Sequence, residues 1–153
     1  MALRPDRNEV VTDISFFMNE TAERGVIVTA ATQGSGAAMD DSAAAVNIAN
    51  STSDKPVGLL LNDVVDLDLT RQHINYAKDE VQKGSKVALL RIGTVVTDQI
   101  SGAITMGEPA HFMSDGTLAS ETAIGGGTKS PVVGRWLSKK DADDFAKVAI
   151  NIV

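Results

Sequence analysis

Hydrophobic positions along this chain recur in short runs rich in β-branched residues, rarely at helical spacing. The densest run is Lys86 to Thr97, where Val87, Leu89, Leu90, Ile92, Val95 and Val96 leave too little polar surface for a loop. Its Val, Ile and Thr content disfavours a helix, so it predicts one long strand, bulged or bent at Gly93. Further short apolar runs follow at Ala103–Met106 and Ala110–Met113, each closed by turn residues, and Asp115-Gly116 is a pair favoured by type I′ hairpins. Residues 84–120 therefore read as a β-meander. Upstream, Gly25–Ala30 predicts a strand, Thr32–Gly36 a turn, and Lys55–Leu61 a strand opened by Pro56. Val64–Leu69 alternates with Asp66 and Asp68 outward, the period-two pattern of a half-buried strand. Ser130–Leu137 repeats the Pro-Val start and following glycine of 55–61, and Lys147–Val153 reads as the last strand. Ala37–Asn50 reads as a strand pair or a loop, and Thr70–Lys83 as a short helix or an extended loop. Ser138, three residues before Asp141, resembles a capping box and predicts one helical turn ahead of the final strand.

The first 25 residues mix charges with Val10, Val11, Ile14, Phe16, Phe17 and Met18 in no clean period. Two readings follow. Either residues 1–25 are a first strand packed on the core, or they form an N-terminal arm whose Phe16, Phe17 and Met18 dock on a partner. Residues 26–153 then form a single β domain. Under the arm reading, removal of residues 1–18 spares the fold; under the other it unfolds the domain.

Composition narrows the function. The chain has 153 residues and no cysteine, so it is of single-domain size and has neither disulfides nor thiolate metal ligands. With 14 Lys and Arg against 20 Asp and Glu, its net charge of -6 opposes binding to nucleic acid or an anionic membrane and points to a protein partner. No secretory core follows the first charged residues, and no segment is long enough to span a bilayer, so a soluble protein made in the cytoplasm is expected. Gly125 to Ser130 resembles a phosphate loop, but Thr128 stands before Lys129 where glycine is required, and Pro131 interrupts the helix that would follow. Gly34-Ser35-Gly36 lacks the third glycine of a dinucleotide fingerprint, and no Gly-x-Ser-x-Gly occurs. His73 and His111 stand apart without metal-ligand spacing. Asp141-Ala142-Asp143-Asp144 lacks the glycine and closing glutamate of a calcium loop. Asp40 with Asp41, and Asp66 with Asp68, fit turn and strand chemistry. No catalytic, cofactor or metal site is predicted.

Three stretches resemble small virion structural proteins of tailed bacteriophages: Asn8–Phe17, the middle Leu61–Val65 with Arg71–Asn75 and Lys78–Gly84, and Ser138–Asp143. Gly107-Glu108-Pro109-Ala110 through Asp115-Gly116 is similar to capsid decoration, or cement, proteins. The resemblance implies a mainly β fold: a single compact β-barrel or β-tulip domain with one or two short helices at most, and an N-terminal arm. It implies a non-enzymatic protein on the outer capsid surface of the virion, binding the major capsid protein and often trimeric. The alternatives are a small β-barrel enzyme or ligand-binding module with a carboxylate site, or another virion part such as a head-fibre or tail component.

Overall fold

The computed structural model describes residues 2–31, 45–63 and 79–152. In chain order their elements are β1 (Asn8–Met18), β2 (Ala22–Glu23), β3 (Ile27–Ala30), β4 (Ala45–Ile48), β5 (Pro56–Asp63), β6 (Glu80–Val81), β7 (Lys86–Thr97), β8 (Pro109–Phe112), β9 (Leu118–Ser120), α1 (Glu121–Ile124), β10 (Gly134–Trp136) and β11 (Ala146–Asn151). The expected mainly β character is therefore met, with one short helix among the described residues. The turn at Thr32–Gly36, the strand at Val64–Leu69, and most of Ala37–Asn50 and Thr70–Lys83 fall outside the described residues.

β7, predicted from its dense apolar run, is long enough to serve three partners. Along one edge it pairs antiparallel with β1, from Asn8 opposite Thr94 to Phe17 opposite Lys86. Along the other edge β5 occupies Val87 to Leu90, and β11 occupies Ile92 to Thr97. The nine-stranded sheet runs β1-β4-β3-β5-β7-β11-β10-β8-β9, and the β1–β7 pairing returns its first strand to its middle. β1 meets β4 in parallel only at Phe17 and Met18. β2 and β6 form a separate pair.

The core lies on both faces of the central strands. Leu59, Leu61 and Leu90 pack with Phe112, Trp136, Val148 and Ile150 on one side. Leu60, Val87 and Leu89 pack with Met18, Val28, Val46 and Val81 on the other. A sheet covered on both faces buries consecutive residues, which is why Leu59-Leu60-Leu61 does not alternate with polar positions. Leu90 and Val95 share one cluster although they stand five residues apart. Regular alternation would put them on opposite faces, so β7 exchanges its faces between them. There Val11 lies opposite Ile92 and Thr12 opposite Leu90, leaving Arg91 as an extra residue in β7, while Glu9 opposite Gly93 leaves Val10 extra in β1. The irregularity predicted at Gly93 is thus present beside it, with a bulged residue in each strand. A Cβ at Gly93 would lie 2.2 Å from the Asn8 carbonyl oxygen, so only glycine admits this crossing.

Three local expectations are corrected. Ala103–Met106 forms no strand, and β8 pairs with β9 and β10, not with β7, so 84–120 is a strand followed by a separate hairpin. Of the Asp115-Gly116 pair, Gly116 alone has positive φ, whereas a type I′ turn needs it at both residues. The Asp115 carboxylate instead accepts hydrogen bonds from the Thr117 backbone N–H and hydroxyl, holding an Asx turn. The helical turn predicted at Ser138–Asp141 is also absent: the Asp141 carboxylate accepts from the Asp143 and Phe145 N–H groups, and Ser138 Oγ accepts from Lys147 N–H. These bonds fold 138–145 into a turn that leads directly into β11. The short α1 was not predicted.

Candidate functional site

β1 is a strand fastened at both ends and open in its middle. At its start, Ala2 and Leu3 are buried and Leu3 bridges to Thr97. Arg4 follows with its guanidinium 3.0 Å from Asp141 and 4.2 Å from the Phe145 ring centroid. At its end Met18 is fully buried in the second cluster, with Phe16 packed beside it. Between these anchors one edge is paired to β7. Along residues 8–16 the opposite edge has no strand partner among the described residues, since β4 reaches only Phe17 and Met18. Both faces of this stretch are also open. Every residue from Asn8 to Ser15 except the half-buried Asp13 is exposed. Val10 (65%), Val11 (41%) and Ile14 (52%) are among the exposed large hydrophobic residues.

The strand carries few charges, and they are locally held. Arg7 Nε lies 2.6 Å from Glu9 Oε1. The Asp13 carboxylate accepts from the Ser15 hydroxyl and backbone N–H, and these bonds, with nearby Arg91, keep its pKa below the usual carboxylate value against a small opposing effect of burial.

Of the three residues singled out from sequence as partner contacts, Phe16 and Phe17 are half-buried and Met18 is buried completely. The more accessible hydrophobics Val10, Val11 and Ile14 lie just before them. Their signal was legible as apolar residues in a charged stretch, but only the structure shows that they are exposed. Met106, Val132 and Leu137 are also exposed, on the β8–β10 side.

His111, Ser130 and Glu108 make contacts within the fold. His111 is buried with Nδ1 2.8 Å from the Ser130 carbonyl oxygen, and Ser130 Oγ accepts the Phe112 N–H at 2.8 Å. Ser130→Ala orphans that buried N–H and should cost about 1–3 kcal/mol, measurable by urea unfolding. Glu108 ties β8 to α1: its carboxylate accepts from the Ser120 and Thr122 hydroxyls and from the Thr122 N–H, 3.1 Å away. Those bonds, Ser120 first, hold its pKa below the ordinary 4.5. A folded-state pKa below the unfolded one stabilises above the unfolded value, and that contribution disappears as pH falls through the folded value. Glu108→Gln should accordingly lower Tm at pH 7, with the gap to the parent protein closing as pH drops below 4.5. Among the described residues no three metal-ligating side chains converge. An open groove of about 540 Å³ is lined by both polar and apolar residues, among them Asn19, Glu20, Asn47, Ile48 and Asp115. His73, Asp40, Asp41, Asp66 and Asp68 lie outside the described residues.

Residues 7–151 match the family model of the structural cement protein (E217 gp24/Pam3 gp6). The chain belongs to the phage structural cement proteins. The match begins just before β1 and ends with β11, so the exposed strand is part of the family unit. No curated protein matches this cement protein. Among solved structures it is similar to the head fiber gp8.5 N base of bacteriophage phi29, at 14% identity and a TM-score of 0.52, covering 92% of this chain and 93% of that one. At that identity the two share a fold.

Proposed function

We propose that this cement protein stiffens a phage head without catalysis, by binding the major capsid protein lattice on its outer surface. The observation that carries the proposal is β1, a strand whose Val10, Val11 and Ile14 are exposed while its ends are anchored in the core. A monomer gains nothing from exposing three large hydrophobics on a strand held by one edge; a partner that covers them does. Phe16 and Phe17 belong to the same contact through their exposed portions, and Met18 supports them from the core. Binding confined to the expanded lattice would stabilise that state by mass action. The ring of pairings through β1, β4, β3, β5 and β7 supports a barrel or β-tulip description, and the family resemblance supports a homo-oligomer, with a trimer the favoured form.

Burying each exposed aliphatic side chain contributes about 1.5–3 kcal/mol. Replacing Val10, Val11 and Ile14 together with Ser should therefore weaken binding to empty expanded capsids by about 100-fold or more while leaving Tm nearly unchanged. Unaltered capsid binding by the folded triple variant would overturn the contact. A second reading, a head-fibre base, is favoured by the shared fold with the phi29 fibre base. Electron microscopy of particles separates the two, because a cement protein covers repeated lattice positions and a fibre base seats protruding fibres.

A further inference from the structure

We infer that the open face of the sheet over β7, β11 and β10 is a second docking surface, and that it seats an acidic surface of the capsid protein. The inference rests on the cement reading and names a further part of that contact and its chemistry. The strand register lays the face out. Asn8 pairs with Thr94, Thr94 with Ala149, Ala149 with Arg135, and Arg135 with Pro109, a row that crosses five strands. Residues directly opposite one another project from the same face of a sheet, and every member of this row is exposed or half-buried. In β11 the alternation is complete: Ala146, Val148 and Ile150 are buried, whereas Lys147 and Asn151 are exposed and Ala149 is half-buried. Val96, opposite Lys147, and Ile92, opposite Asn151, extend the face along β7. Val11, opposite Ile92, joins it to the β1 contact. Leu137, whose N–H donates to the Lys147 carbonyl, completes it at 39% exposure.

Charge selects the occupant. The chain has 20 acidic against 14 basic residues, yet these rows contain no Asp or Glu and carry Arg135 and Lys147. Neither cationic side chain has an ion-pair or hydrogen-bond partner among the described residues. Acids close to them in sequence or pairing are engaged elsewhere: Asp141 and Asp143 hold Arg4, and the Glu108 carboxylate accepts from Ser120 and Thr122. An open face is ordinary in an antiparallel sheet. A face of single positive sign on an acidic chain is what points to a partner. Unpaired cations set beside Val96, Ala149 and Leu137 offer an acidic surface both apolar contact and charge-assisted hydrogen bonds. Nucleic acid suits the face poorly, because two cations on a body of net charge -6 neutralise too few phosphates. A second copy suits it no better. Two-fold pairing of this face sets the same cations of both copies together and joins two bodies of net charge -6.

Binding of the full-length protein to empty expanded capsids, measured across a range of salt, tests this. Arg135→Glu and Lys147→Glu each reverse one positive charge on the face. Lys55→Glu makes the same change at an exposed position ahead of β5, outside these rows. At low salt each face variant should bind about 10-fold more weakly than the parent, with parent-like Tm, while the control binds nearly as well. Raising the salt should weaken the parent and narrow that gap, because exposed charges are screened within about 3 Å at 1 M. Carbodiimide, which joins an amine to a carboxylate in contact with it, should link Lys147 of the bound parent to the capsid protein. Equal losses in the control and the face variants trace the effect to net charge and overturn the inference. Parent-like binding by the folded face variants, or a loss that salt leaves unchanged, also overturns it and leaves the cement reading standing. If the face variants fail to fold, the cross-link on the parent decides alone. A link from Lys147 to a second copy of this chain, or none to the bound capsid, overturns the inference. No capsid binding by the parent protein overturns both.

Discussion

Deletion of residues 1–18 is expected to abolish cooperative folding, leaving no thermal transition by circular dichroism. Residues 2, 3 and 18 are core: Ala2 and Leu3 are 2% exposed and Met18 0%. Losing a buried Leu or Met side chain costs about 2–5 kcal/mol each, and a domain's whole stability is about 5–15 kcal/mol. The deletion also strips the entire first edge of β7, whose neighbours on the other edge cannot replace those hydrogen bonds. The Thr97 hydroxyl loses the Ala2 carbonyl to which it donates at 3.0 Å. A detachable arm would instead leave a folded, capsid-binding-deficient domain. Comparing the deletion with the Val10, Val11 and Ile14 triple variant separates the two roles of the segment. The triple variant should fold and fail to bind, whereas the deletion should not fold. A deletion protein with a parent-like Tm would show that β1 contributes only to binding.

The second large effect is expected at Gly134. A Cβ there would lie 1.8 Å from the Ala149 carbonyl oxygen and 2.9 Å from its carbonyl carbon. Both are backbone atoms of the neighbouring strand β11, which pairs Gly134 with Ile150 and Trp136 with Val148. No rotamer change relieves such a contact; β10 must move away from β11. That movement loosens Trp136, fully buried in the larger core cluster. Gly134→Ala should thus cost about 3 kcal/mol or more, at the upper end of overpacking effects, and lower the midpoint of urea unfolding accordingly. Gly126→Ala provides the control, because nothing stands within 4 Å of a Cβ placed there. Similar midpoints for the two variants would show that β10 and β11 separate without loss.

Much of this fold is legible in the sequence wherever burial is complete. β7 spans the residues that its apolar density predicts, and β3, β5 and β11 lie within a few residues of their predicted runs. Burial on both sides makes these strands conspicuous, because neither face needs polar residues. The 138–145 segment misled because Ser followed by Asp serves turns as well as helix starts, and tertiary bonds from Phe145 and Lys147 decided for the turn. The meander failed because Ala103–Met106, though apolar, pairs with none of the described strands, and β8 pairs with β9 and β10 instead of β7. For the proposed contact, the sequence drew attention to Phe16, Phe17 and Met18 because bulky residues stand out. The strand pairing shifts the emphasis to Val10, Val11 and Ile14, since Met18 is needed inside. Sequence periodicity does not reveal which side chains of a strand its pairing leaves exposed, because that depends on partners some 80 residues away.

That separation governs how the protein comes into being. β1 leaves the ribosome well before its partner β7, which begins only at Lys86, and β11 completes the other edge of β7 later still. Folding dominated by such distant pairings is slow, in the range of milliseconds to seconds. Throughout that interval Val10, Val11 and Ile14 sit on a nascent strand with both edges free, a hazard for aggregation between growing chains. The bulges and the Glu9 and Asp13 charges then act as gatekeepers during synthesis, before any capsid is present.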